Sequence, residues 1–582
     1  MGNYRNFALV YYFVAQATAH AEEEKLEKDI RFFEKYMRPD KVYLEPYRSG
    51  VLADDAHVEM CRRVFERHGV EVAGGLTTTG PDPERQHMFD TLCYNDPETV
   101  RALKEACTLL GRHFSEFIID DFFFTDCTCE ACRAGRDAYN AAHGITDGSW
   151  AGYRLDLMEK VSRDYIIAPA KAVNPKMKIT IKYPNWAESY QETGYNPARQ
   201  RLLFDNIYTG TEARDTVTTD QHLPRYLSYS LMTYFESMWP GHNGGGWFDP
   251  FDLHITEQYL EQAYLTAFSR PKELMMFCFQ ALTDRMNVPA LGFQLDRLDS
   301  VLDHAGSPAG IVCYLPDNCH GEDNIQDFLG MCGLPVTCTP YWPENAPAIL
   351  LTRSSACDPD IVDKLDAYVA AGGKALVTSG FLEDTMDRGI RRITSVTFSG
   401  RRVRGRNYRV EFPGRPRPLL TYPKGRDEIG IPVCEFRNNA AWALAKMADT
   451  EESFALLLRE TYGKGQMITL TVPDSFPDLY KLPRPVISRV LAEFPVNGVW
   501  LETDPGVSVF HYDNDTFVTY PYVTSEAQPG SILIHVNGQV KSLTELAPYP
   551  ERVILPKYTT DTETVFEVRT QPGEYIIRRI DR

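Results

Sequence analysis

The strongest constraint on the fold is an alternation in the first three hundred residues. Eight apolar, β-rich runs are separated by stretches of helical period: Phe7–Ala15, Lys41–Pro46, Glu71–Leu76, Phe114–Asp121, Lys178–Tyr183, Phe204–Thr209, Leu231–Glu236 and Glu273–Gln280. Leu26, Ile30, Phe33 and Met37 keep one face of a helix, and Val100, Leu103, Cys107 and Leu110 keep one face of another, at steps of three and four. Strands and helices in strict succession require a parallel sheet, and eight such units predict a (β/α)8 TIM barrel over residues 1–306. Arg5, the apolar run that follows it and Ala17-Thr-Ala-His-Ala21 also have the form of a signal peptide. The barrel needs that run as its first strand, and a strand followed by a helix from about Ala19 is the expectation.

From Ser307 the pattern changes. Gly310–Tyr314, Pro347–Leu351 and Lys374–Thr378 read as short parallel strands and Met467–Thr471 as another strand, and Ile361, Leu365 and Val369 mark a helix that stops at Gly372-Gly373. Residues 307–497 are therefore expected to form a flavodoxin-like α/β domain with a polar, Arg-rich insertion near 383–440. Residues 498–582 alternate apolar and turn residues and predict a small antiparallel β-domain, sandwich-like, with strands at Val507–His511, Thr516–Tyr520, Ser531–Val536, Glu551–Leu555 and Tyr575–Ile580.

A chain of 582 residues exceeds one core, and 43% apolar content with 12% aromatics is that of a packed globular protein. Its 61 Lys and Arg against 80 Asp and Glu leave a net charge of −19, which excludes a polyanionic partner such as nucleic acid. No apolar run approaches the ~20 residues of a membrane span. Abundant aromatics in an acidic chain suit a neutral, polyhydroxylated ligand. Thirteen cysteines, an odd and scattered set, do not make a secreted disulfide framework, so a reducing compartment or metal-held thiols is expected. The expected location is the cytoplasm, or the periplasm if a leader is removed ahead of Met1.

Three of those cysteines are clustered in Cys127-Thr-Cys129-Glu-Ala-Cys132, just past the strand-four run. Thiolates at this spacing can turn around one tetrahedral ion, and Cys93 is the candidate fourth ligand of a structural zinc site that fastens the loop. The plainer alternative is three buried free thiols. No phosphate-cradling glycine loop, nucleophile elbow or His-Glu-x-x-His motif occurs, and no organic cofactor is expected.

On this layout the acids at strand ends carry the chemistry. Asp120 and Asp121 close strand four, Glu212 follows strand six and Glu236 closes strand seven. Two carboxyl groups flanking a scissile bond are the equipment of glycoside hydrolysis. Each acid taken alone reads equally well as a hydrogen-bonded loop carboxylate. Tyr183 and Trp186 after strand five, Tyr208 after strand six, and Tyr234, Trp239 and Trp247 around Glu236 are candidate sugar platforms or core packing. Gly241-His-Asn-Gly-Gly-Gly246 reads as a strand-seven loop able to wrap a ligand. Lys182, Arg214 and His242 are candidate hydrogen-bonding partners for sugar hydroxyls.

In this order of domains, and in Cys127-Thr-Cys-Glu-Ala-Cys-Arg133 with the upstream Leu92-Cys-Tyr-Asn-Asp96, the chain resembles the glycoside hydrolase family 42 β-galactosidases. Phe235-Glu-Ser-Met-Trp-Pro-Gly241, with Trp247 beyond it, resembles that family's nucleophile region. The resemblance implies a catalytic barrel, a trimerisation-type middle domain, a structural zinc ion and a homo-oligomer, trimer or dimer. It implies an exo-acting, retaining glycosidase in which Glu236 attacks and a strand-four Asp is the acid/base. The chain departs from the family at strand four, where Asp120-Asp121-Phe122 stands in place of Asp-Asn-Glu, so a divergent or related family is expected. Two alternatives follow: an α-glycosidase with a strand-four Asp nucleophile and Glu212 as acid/base, or a carbohydrate-binding barrel without catalysis.

Overall fold

The structure is a computed structural model that describes residues 3–81, 87–412, 419–421, 428–436, 438–448, 452–525 and 527–582. Residues 1–222 and 235–299 form one compact unit. Its eight parallel strands are β1 (Ala8–Phe13), β2 (Lys41–Arg48), β3 (Glu71–Leu76), β4 (Glu116–Ile119), β5 (Lys178–Tyr183), β6 (Asn206–Gly210), β7 (Asn243–Phe248) and β8 (Glu273–Met276). Each pairs with its neighbour in chain order, and β8 returns to β1 with Ala8 opposite Glu273, so the barrel is closed. The first apolar run is thus a strand bonded on both sides, to β2 and to β8.

Side chains from seven of the strands fill the barrel: Val10, Tyr12, Tyr43, Ala73, Ile118, Tyr208, Trp247 and Met275. At the end where the strands begin, Lys41 Nζ donates to Glu116 and Glu273, each at 2.7 Å, and Tyr43 and Tyr208 donate to the second oxygen of Glu273. This buried network plugs the bottom of the barrel and leaves the opposite end for chemistry.

One strand lies elsewhere than the sequence suggests. Leu231–Glu236 belongs to a helix, Leu227–Met238, and the glycine-rich segment read as the strand-seven loop is strand β7 itself. Leu231 through Phe235 are all buried, and the polar Ser228, Ser230 and Thr233 are buried with them, so the helix lacks the wide apolar-against-charged contrast that marks a surface helix. The glycines make room inside the barrel. A Cβ on Gly245 would collide with the Glu273 carbonyl and come 2.7 Å from Tyr208 Oη, and one on Gly244 would lie 2.9 Å from the Tyr208 ring.

Residues 223–234 and 300–582 form the second unit. Its parallel strands are β9 (Ile311–Tyr314), β10 (Val336–Thr339), β11 (Ala348–Leu351), β12 (Lys374–Thr378) and β13 (Gly465–Leu470), in the sheet order β10-β9-β11-β12-β13. That is the flavodoxin-like 2-1-3-4-5 order. Between β12 and β13 the chain makes antiparallel strands, and four of them (Tyr408–Val410, Leu419–Thr421, Ala441–Ala448 and Ser453–Tyr462) extend the same sheet past β13. The C-terminal residues make two antiparallel sheets, one of six strands and one of four. Pro308–Ala309 pairs with Val507–Tyr512 in the first, so the chain visits that sheet before it enters β9. Among the described residues no helix is long and apolar enough to cross a membrane.

Candidate active site

At the C-terminal ends of the strands, one buried ammonium organises three carboxylates. Lys182, on β5, points into the barrel, and its Nζ lies 2.8 Å from Asp121 Oδ2, 2.8 Å from Glu212 Oε1 and 3.5 Å from Asp120 Oδ1. Its next neighbour Tyr183 faces outward, as strand alternation requires, where it donates to Gln200 and stacks on Phe235. The Trp247 ring, at the end of β7, lies 4.3 Å below the same ammonium and stacks on Phe277 at 4.9 Å.

The three acids differ in their surroundings. Asp120 is fully bonded: Arg48 donates to Oδ2 at 2.7 Å, Thr77 at 3.2 Å, and the Asp121 amide to Oδ1 at 2.9 Å. Burial works against its charge, but Lys182 and Arg48 outweigh burial and hold the carboxyl down at about 2. Burial pushes Asp121 up to about 8; Lys182 opposes this, while Asp120 and Glu212 reinforce it. Burial also raises Glu212, against Lys182 and with help from Asp249.

Glu212 follows β6. Asn185 fixes its backbone by donating to its carbonyl at 2.9 Å. Gly210 makes space for it, since a Cβ there would meet Glu212 Oε2 at 2.7 Å. That oxygen is buried and has no hydrogen-bond partner.

Three residues absent from the sequence reading, Glu45, Arg48 and Asp249, complete the centre. Glu45, wholly buried on β2, accepts from Tyr12 Oη at 2.7 Å, the Ala15 amide at 3.0 Å and Arg48 Nε at 2.7 Å. Arg48 thereby bridges Glu45 to Asp120. Asp249, just past β7, takes a two-pronged contact from Arg214, with Nε to Oδ1 at 3.2 Å and Nη2 to Oδ2 at 2.6 Å. A buried acid inside an apolar strand, Tyr43-Leu-Glu-Pro, was a signal for Glu45. Asp249 was hidden by the displacement of strand seven.

Glu236 is not part of this centre. It is exposed near the end of its helix, ahead of β7, and accepts from the Gly241 amide at 2.7 Å. Trp239 and His242 lie with it on the same side, stacked at 3.9 Å, with His242 bonded to the Asp205 carbonyl. Tyr208 is held down at the plugged end by Glu273, and Tyr234 is buried in the second unit. Trp186, half-buried in the loop after β5, packs edge-on against Tyr195, whose hydroxyl donates to the Asp121 carbonyl. Of the expected site residues, Asp120, Asp121, Lys182, Glu212 and Trp247 converge. Arg214 joins them through Asp249 and Trp186 through Tyr195. Glu236, Tyr183, Tyr208, Tyr234, Trp239 and His242 do not.

Cys93, Cys127, Cys129 and Cys132 bring their sulfurs within 4.8 Å of one another. Cys93 Sγ lies 3.8 Å from Cys129 Sγ and 3.7 Å from Cys132 Sγ. The edge of a tetrahedron with metal–sulfur bonds of about 2.3 Å is about 3.8 Å, so the four thiols fit a single ion. Asn95 Nδ2 donates to Cys132 Sγ at 3.2 Å and orients it.

Comparison with known proteins gives a family. The sequence profile described as "Probable glycosyl hydrolase, catalytic domain" matches residues 1–297, and residues 306–404 match the second domain of an uncharacterised protein. An uncharacterised protein of Saccharolobus solfataricus is 31% identical over 413 residues, which are 64% of this chain and 67% of that one. A β-galactosidase from Bacillus circulans sp. alkalophilus superposes with a TM-score of 0.64 at 12% identity, over 97% of this chain and 99% of its own. The α-L-fucosidase isoenzyme 2 from Paenibacillus thiaminolyticus gives 0.64 at 11% identity, over 99% and 100%. A family 42 β-galactosidase, Gan42B, gives 0.61 at 12% identity, over 99% of each chain. At these identities the likeness is one of fold. The family profile takes in half of this sequence: the chain belongs to the probable glycosyl hydrolase catalytic-domain family, and it is a glycosidase.

Proposed function

We propose that the chain cleaves glycosidic bonds with retention, from the end of its substrate, using Asp121 as acid/base and Glu212 as nucleophile. The observation that carries this reading is the ammonium of Lys182, 2.8 Å from an oxygen of each. The two oxygens it binds are no farther apart than twice that length. That upper bound, between the two lysine-facing oxygens, falls with the shorter separation of a retaining pair. The recessed position of the pair favours a chain end over the middle of a polymer.

Asp121 is the more accessible of the two and is raised enough to hold a proton at neutral pH. Lys182 binds Oε1 of Glu212 and opposes the burial that raises its carboxyl, which leaves the unpartnered Oε2 as the attacking atom. Glu212 Oε2 bonds to the anomeric carbon while Asp121 passes its proton to the departing oxygen. Water then takes the place of the leaving group, gives a proton back to Asp121 and displaces the Glu212 ester. Trp247 forms the floor under the sugar, and Arg48 with Glu45 holds Asp120 so that the strand-four end stays in register. In the thiol cluster we place a zinc ion. It would cross-link the loops after β3 and β4 and takes no part in bond breaking.

The test is a screen of 4-nitrophenyl glycosides of both anomers, with product stereochemistry read by NMR. The names of the structural neighbours put galactosides and fucosides first. Glu212→Gln should abolish both steps. Asp121→Gly should retain the first step on activated leaving groups and regain turnover with azide. The reverse pattern would assign attack to Asp121 and proton transfer to Glu212.

A further inference from the structure

Beside Asp121 the barrel mouth carries an aromatic wall that the reaction above does not use. Phe122 follows the acid directly, and its carbonyl is fixed by Thr78 Oγ1 at 2.8 Å. The Phe89 ring, from the loop after β3, meets the Phe122 ring at 5.7 Å and 66°. Phe89 is 59% exposed, and its neighbour Met88 is 51% exposed.

The backbone is strained to present that ring. Phe89 sits at φ 54°, ψ 29°, and Asp90 at φ 55°, a left-handed conformation that bulky side chains avoid. The strain is held in place from three sides. Thr79 bridges to Thr91, the Gly80 amide donates to the Asp90 carbonyl at 2.9 Å, and the Met88 amide donates to Asp126 at 2.7 Å. Asp126 and Cys127 are adjacent, as are Leu92 and Cys93, so both segments that carry the rings run straight into the thiol cluster. An exposed ring in a strained, firmly fastened backbone beside a proton donor is better explained by a ligand than by packing.

We propose that Phe89 and Phe122 form the leaving-group subsite, and that it selects glycosides whose aglycone presents a flat apolar face. The inference rests on Asp121 as the acid/base, since Phe122 is its next neighbour in the chain and the group it protonates is placed toward that ring. It accounts for a phenylalanine immediately after the strand-four acid: the ring is a binding surface for the group that Asp121 protonates.

Phe89→Ala separates this role from the chemistry. With the best 4-nitrophenyl glycoside from the screen, the variant should lose about tenfold in kcat/KM, the value of one aromatic contact with its buried area. With the glycosyl fluoride of the same sugar, which has no aglycone, it should match the native enzyme within about twofold. Equal losses on both substrates, or no loss on either, overturn the subsite. A readout that needs no turnover is saturation-transfer NMR with 4-nitrophenol, which should show transfer from the native protein and none from the variant. Transfer from both proteins, or from neither, also overturns it. Failure of the Asp121 and Glu212 variants to affect hydrolysis would instead sink the catalytic assignment, so the two readings fail separately.

Discussion

Lys182 donates to one oxygen of Glu212 at 2.8 Å, and the other oxygen of that carboxylate, though buried, has no partner. A cation that holds one lone pair and leaves the other bare gives the carboxylate its charge and its reactivity together. Replacing Lys182 with Met should therefore lower kcat by about 10²–10³-fold, as loss of a fixed electrostatic contact does. It should also move both limbs of the pH profile to higher pH, because Glu212 on the acid side and Asp121 on the alkaline side lose the charge that opposes their upward shifts. Limbs that stay in place would show that Lys182 serves packing alone.

The alkaline limb reports Asp121. Its carboxyl is raised to about 8, so kcat/KM should fall above that pH as the proton donor ionises. The same shift has a consequence for stability. An acid with a raised folded-state value stabilises the fold while protonated, and that contribution declines as pH rises from about 4 to about 8. Asp121→Asn cannot ionise, so its melting temperature relative to the native protein should climb across that window. Parallel melting curves at pH 5 and pH 9 would contradict the assignment.

Asp120 behaves oppositely. Its value lies near 2, below the ordinary carboxylate, so its contribution is complete above about pH 4 and is lost as pH falls through 2. The magnitude is about 2 kcal/mol. Arg48→Met removes the cation shared by Asp120 and Glu45, leaving Asp120 with Lys182 alone and Glu45 with neutral donors only. A loss of about 3–5 kcal/mol by chemical denaturation is expected. Glu45→Gln keeps most of the hydrogen bonds and should cost less.

Glu236→Gln should leave hydrolysis within about twofold of native, with stability changed by no more than about 0.5 kcal/mol. Glu236 is an exposed helix residue whose carboxylate serves the Gly241 amide. A collapse of turnover in this variant would require a site other than the one built on Lys182.

Protein purified without chelator should carry one zinc per chain, measured by elemental analysis. Cys132→Ser should lower that content and the melting temperature by several degrees. Cys132 is the buried ligand that Asn95 orients, so its loss should exceed that of the exposed Cys129. Metal content unchanged in the Cys132 variant would argue for free thiols.

The sequence by itself determined the barrel, the order of layers after it, the thiol cluster and most of the central acids. These are local signals: apolar runs at strand length, Cys-x-Cys-x-x-Cys spacing, and polar residues where apolar runs stop. Tertiary structure decided strand seven. Leu227–Met238 is buried along most of its length, polar residues included, which hides its helical period, while the glycines of β7 exist because Tyr208 and Glu273 occupy the space a side chain would need. That exchange removed Glu236 from the mouth and brought Asp249 to it. Only the closed barrel could show which acids share Lys182, because Asp120, Lys182 and Glu212 lie on three different strands' ends and meet through burial around one charge. Whether a carboxylate is a nucleophile, a proton donor or a strut depends on that shared environment, which no spacing along the chain records.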